Sequence, residues 1–142
     1  MEIKKVVERL IRKYGTNDPI KIAQYMGINI EYRNLIGMLG FFQIYLRIPF
    51  IHVHQDLCET MIRYVIAHEL GHRILHPKEN VPFLSKHTLR SVDKIEREAN
   101  QFAVELLIPD NLLLEGKTIY EAAAICGVPQ EVAHLKNTNI KF

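Results

Sequence analysis

Three observations predict an α+β fold for this chain. Apolar residues recur with helical spacing as far as Met26, and β-branched and aromatic residues replace them between Ile28 and His54. Helical spacing then returns from Leu57 onward. At 142 residues the length suits one domain spanning 1–142. Its core is expected from about 16 to 115 and a helical C-terminal segment from about 118 to 136. A chain of this size can bury a sizeable core without disulfides or structural metals.

Taken in order, Ile3, Val6, Val7, Leu10 and Ile11 share one helical face, and Gly15 closes that helix. Asp18-Pro19 reads as an N-cap followed by proline at the first helical position. It opens a short helix to about Met26, which Gly27 ends. Between Ile28 and His54, with breaks at Gly37, Gly40 and Pro49, three or four short strands are expected in a small antiparallel sheet. Ile51 and Val53 alternate with His52 and His54, as in a strand with one buried face. A helix from Leu57 to Leu75 stops before Pro77. A loop through Pro82, Ser85, Lys86 and His87 leads to a helix from about Ser91 to Ile108. Pro109-Asp110 breaks the chain again. Short helices are expected from Thr118 to Ile125 and from Gln130 to about Lys136, either side of a turn at Gly127-Val128-Pro129.

Apolar residues make up 48% and charged residues 24%, which is ordinary for a globular protein. A net charge of +2 is too small to mark a nucleic-acid or membrane surface. Met1 to Val6 lacks the apolar stretch of a signal peptide, and no apolar run approaches transmembrane length, so the expected location is the cytoplasm. Cys58 and Cys126 lie at no metal-like spacing and read as small core residues rather than a disulfide.

The chemistry is concentrated in His68-Glu69-Leu70-Gly71-His72. Two histidines four residues apart on a helix lie about 40° apart around the axis and about 6 Å apart along it, so their imidazoles can converge on one ion. Glu69 stays on the same side, placed to take a proton from a metal-bound water and hand it to a leaving amine. Imidazole and carboxylate ligands suit zinc (Zn2+). Gly71 costs roughly 1 kcal/mol against alanine inside a helix, so a neighbour or substrate is expected to need its space. His76 extends the ladder but sits about 12 Å along the axis from His68, too far to share an ion. It is expected as a helix C-terminal residue or as a hydrogen-bonding partner of a ligand.

A third ligand has to come from Glu79, His87, Asp93, Glu96 or Glu98. On the helix from Ser91 to Ile108 the apolar face is set by Val92, Ile95, Ala99, Phe102, Ala103, Leu106 and Leu107. Glu96 falls about 57° from the centre of that face and Glu98 about 103°. Glu96 is thus at the rim, where a carboxylate can look inward, although periodicity alone suits an ordinary surface charge equally well.

The motif His68-Glu69-Leu70-Gly71-His72, followed by Glu96-Arg97-Glu98-Ala99-Asn100-Gln101-Phe102-Ala103 and Leu106-Leu107-Ile108-Pro109, resembles the ImmA/IrrE family of metallopeptidases. The likeness runs from about Thr16 to Val132. It implies a zincin-like domain with His68, His72 and Glu96 as zinc ligands, Glu98 as the reserve third ligand, and Glu69 as the catalytic base. It also implies a protein substrate, a helix-turn-helix transcriptional repressor cleaved to relieve repression. The alternative is a non-catalytic module that binds a repressor or DNA around a structural or decayed zinc site.

Other constellations are weaker. His52 and His54 could line a groove that binds extended peptide as an added strand, but a solvated sheet face is the plainer expectation. Tyr32, Tyr45 and Tyr64 are open as oxyanion stabilisers. Thr118 to Leu135 has helix-turn-helix spacing, yet its second helix offers Lys136, Glu131 and no arginine, so packing or partner docking is expected rather than direct DNA binding.

Overall fold

The computed structural model describes residues 2–79, 82–83 and 85–140, with the side chains of 85–87 outside the described set. The fold is α+β: helices α1 (Ile3–Tyr14) and α2 (Pro19–Tyr25), strands β1 (Asn29–Arg33), β2 (Gly40–Tyr45) and β3 (Ile48–His54), then helices α3 (Glu59–Leu75), α4 (Ser85–Arg90), α5 (Lys94–Leu107), α6 (Asp110–Leu114) and α7 (Ile119–Cys126), and a 3-10 turn over Gln130–Leu135. A small sheet beside a central helix pair fits the expected zincin-like arrangement. No helix among the described residues is long and apolar enough to cross a membrane.

Local chemistry accounts for the element ends. Gly15 closes α1 with φ +70°, and the Asp18 side chain accepts from the Ile20 amide to open α2 at Pro19. Thr118 and Glu121 form a reciprocal capping box at the start of α7, and Gly127 ends it with φ +70°. The β2–β3 hairpin turns on Leu46 and Arg47, both with positive φ, the twist that a two-residue connection requires.

The sheet order is β1-β3-β2, and it corrects one expectation. β2 pairs with β3 antiparallel, but β1 pairs with β3 parallel, so the sheet is mixed. After β1 the chain crosses to the far edge, reverses through β2 and returns as the middle strand. Alternating burial reports which face of a strand is inside and carries no information about its direction.

Three further expectations change. Residues 85–90 form α4 rather than a loop, and α5 begins at Lys94, three residues later than expected. Val92, counted on the α5 apolar face, is 84% exposed outside the helix. The expected solvated sheet face is not solvated at His52, which is buried and stacked on Phe41 and Phe50 with Nε2 facing Gln43 Oε1 at 2.8 Å. Both cysteines are free thiols, but Cys58 is exposed at the N-cap of α3 rather than in the core, and Cys126 is half-buried. The helix-turn-helix-like tail ends in the 3-10 turn, which buries Val132 and Ala133.

The core lies between the sheet and the helices. α3 packs on β2 and β3, on α2, and most extensively on α5, which also contacts α1. Glycine makes two of these approaches possible. A Cβ on Gly40 would meet Val65 Cγ1 of α3, and one on Gly71 would lie 3.0 Å from the Phe102 ring of α5. The neighbour that needs the space at Gly71 is therefore Phe102. Close helix–helix packing outweighs the propensity cost of glycine there.

Candidate metal centre

Every residue of α3 from Tyr64 to His72 is buried, because sheet and helices enclose this stretch. Polar side chains on it must therefore find partners inside the protein or bind something there. His68 and His72 project toward the start of α5, where Glu96 is also buried. The ligand atoms of His68, His72 and Glu96 all lie within 4.8 Å of one another, a grouping that could hold a metal ion. Glu96 Oε1 is 2.5 Å from His72 Nε2 and 3.6 Å from His68 Nε2. These are close approaches without hydrogen-bond alignment. His68 Nε2, His72 Nε2, Glu96 Oε1 and Glu69 Oε1 are all buried without a hydrogen-bond partner.

The outward nitrogens of the two imidazoles are engaged. His68 Nδ1 lies 2.9 Å from Asn100 Oδ1, which also accepts from the Tyr64 hydroxyl at 2.7 Å. Asn100 Nδ2 donates to the Thr88 carbonyl at 3.0 Å. A carbonyl only accepts, so the amide orientation is set, and His68 must carry its proton on Nδ1. Its Nε2 lone pair then faces the cluster. His72 Nδ1 lies 3.1 Å from His76 Nδ1, and His76 Nε2 lies 2.9 Å from Glu98 Oε1.

Electrostatics follow from burial. Burial lowers the His68 pKa, opposed by Glu96, and favours a neutral ring. Burial, and then the charge of Glu96, push the Glu69 carboxyl well above its ordinary value. Burial would raise Glu96 as well, but where the His68 and His72 rings carry a proton toward it they outweigh burial and hold that carboxyl at about 2. Burial raises the Tyr64 hydroxyl, followed by Glu96, which keeps it a donor to Asn100.

Among the third-ligand candidates, Glu96 joins the two histidines. Glu98 turns to His76, Asp93 is exposed at the α5 N-cap, and Glu79 is exposed at the rim of a small cleft beside Glu69 and His72. The His87 side chain lies outside the described residues. His76 caps α3 outside the cluster, as its spacing predicts. Tyr32 and Tyr45 are exposed on the sheet, and the Tyr64 hydroxyl is committed to Asn100. Asn100 is the residue that sequence reasoning passed over. A polar residue between Ala99 and the apolar pair Phe102 and Ala103, one turn beyond Glu96, was the signal available.

A buried His-x-x-x-His helix facing a glutamate from a second helix, in an α+β fold, is the arrangement expected of the metallopeptidase class. The chain belongs to the IrrE N-terminal-like domain family, whose model matches residues 23–136. It is 44% identical over 140 residues to "Uncharacterized immunity region protein 2" of Bacillus phage phi105, covering 95% of this chain and 89% of that protein. It is 31% identical over 150 residues to "Metallopeptidase ImmA" of Bacillus subtilis (strain 168), covering 97% of this chain and 85% of the relative. The ImmA/IrrE resemblance and the metallopeptidase family are thereby established.

Proposed function

We propose that this protein is a zinc metallopeptidase, one domain over 1–142, that cleaves a helix-turn-helix transcriptional repressor in the cytoplasm. The observation that carries the reading is the convergence of buried, partnerless atoms from His68, His72 and Glu96 beside the partnerless carboxylate of Glu69. Two imidazoles and a carboxylate suit a dication, and a nitrogen–oxygen donor set of this kind suits zinc.

His68, His72 and Glu96 would hold the ion. When bound, zinc lowers the pKa of its water to near 7 and polarises a peptide carbonyl. Glu69 would take a proton from the attacking water and return it to the leaving amine. Asn100 and Tyr64 hold His68 in one orientation, and burial keeps bulk water from competing for the charged groups. The repressor as substrate is supported by the relatives, one named for a phage immunity region and the other as ImmA.

The test pairs wild-type protein with Glu69→Gln, each incubated with the helix-turn-helix repressor encoded beside its gene. Fragments are read by mass spectrometry and zinc by elemental analysis. Wild type should cut and the variant should not, both with one zinc per chain. Equal failure to cut, or protein without zinc, overturns the reading.

A further inference from the structure

We propose that His76 and Glu98 form a positioning chain that orients His72 toward the metal. This rests on the metallopeptidase reading and adds two residues to it. Outside the helix proper, His76 adopts φ −132° and ψ 57° as the C-cap of α3, while its amide donates to the His72 carbonyl at 2.7 Å. That backbone turn brings its ring back toward the helix, with ring centroids of His72 and His76 5.2 Å apart.

The direction of the chain follows from what each group can do. The Glu98 carboxylate only accepts, so a His76 ring with one proton carries it on Nε2 and donates to Glu98 Oε1 at 2.9 Å. His76 Nδ1 is then the acceptor. The proton in the 3.1 Å contact therefore belongs to His72 Nδ1. His72 Nε2 is left as a lone pair facing His68 and Glu96. Asn100 imposes the same tautomer on His68 by a different route. Helix α5 thus supplies Glu96 to the cluster, Asn100 to one histidine and, through His76, Glu98 to the other. A ligand histidine held by such a partner binds metal more tightly, and loss of the partner typically costs 10–100-fold.

The test measures zinc affinity by chelator competition for wild type, His76→Ala, Glu98→Ala and Glu98→Gln. The cobalt-substituted visible spectrum and the melting of the metal-free proteins are recorded alongside. Zinc binding should weaken about 10–100-fold in both alanine variants, with a shifted cobalt spectrum. Glu98→Gln, which keeps an accepting oxygen, should recover most of the affinity. Melting of the metal-free proteins guards against a merely structural effect. The Glu98 side chain is 29% exposed, so its variants should fold even if His76→Ala does not. Zinc affinity and cobalt spectra equal to wild type in the Glu98→Ala protein overturn the chain alone, and so does an affinity loss fully matched by lost stability. A wild-type protein that binds no zinc overturns the metallopeptidase reading and the chain with it.

Discussion

Helix α5 carries a buried glutamate near each end, and the two are finished differently. Near its end, Glu105 is 4% exposed and accepts from Lys136 Nζ at 2.7 Å and from the Asn137 amide at 2.7 Å. Lys136 also donates to Asp110 at 2.6 Å, and Asp110 pairs with Lys4 at 3.1 Å. Charges here meet opposite charges drawn from α1, α5, α6 and the C-terminal tail. Near the start, about 13 Å along the axis, Glu96 meets Glu69, His68 and His72, whose inward atoms lack hydrogen bonds. The first cluster is complete as protein and ties the chain ends together. The second leaves its inward atoms unpaired by protein and could hold a cation. Paired buried charge marks structure, and convergent unpaired charge marks a site.

The contrast breaks most sharply at Glu69. Glu69→Gln should lower the cleavage rate about 100- to 10,000-fold, the usual worth of a positioned general base, while zinc content and melting stay near wild type. Elemental analysis with single-turnover cleavage checks this. Lys136→Met should do the reverse, because it leaves the Glu105 carboxylate without its cation. A loss of about 3–5 kcal/mol in urea unfolding is expected, with one zinc still bound per folded chain. If Lys136→Met abolishes zinc binding in folded protein, the two clusters are not separable.

Gly71→Ala tests the helix pair that brings the metal cluster together. Its gain of about 1 kcal/mol in helix propensity is outweighed by an overpacking cost of about 1–3 kcal/mol, since the new methyl would lie 3.0 Å from a fully buried Phe102. Urea unfolding should show a small net loss, and chelator competition a weaker zinc affinity as α3 and α5 separate. The smallest effect concerns pH. Burial would raise the Asp110 carboxyl, but Lys136 and Lys4 hold it below its ordinary value of 3.8. Its pairing thus contributes stability above about pH 3.8 that is lost as pH falls through the lower folded value. The difference in urea midpoint between wild type and Asp110→Asn should be constant from neutral pH down to about 5 and shrink below about 4. A difference that shrinks between pH 7 and 5 would assign the contribution to another group.

Much of the candidate metal centre was legible because it is local. Four-residue spacing places His68 and His72 on one face of a single helix and excludes His76, whereas periodicity put Glu96 only at the rim of the α5 stripe and the family resemblance selected it. The engagement of Glu98 was not legible, because its partner His76 depends on where α3 stops and how its last residue turns. Asn100 was missed because one polar residue in an apolar stripe does not say which atoms it meets. His52 was misread because alternation marks the two faces of a strand but does not say that Phe41, from the next strand, covers the second one.

From the sequence alone came the helix that carries His68, Glu69 and His72, the inward side of α5, and the caps at Gly15, Asp18 and Thr118. All of these rest on interactions within about one helical turn of the chain, where spacing dictates geometry. Tertiary structure decided the parallel pairing of β1 with β3, the contacts of His68 with Asn100 and of His76 with Glu98, and the junction of Lys4, Glu105, Asp110 and Lys136. Each joins residues far apart in sequence, and their meeting depends on how whole elements pack, which no local spacing encodes.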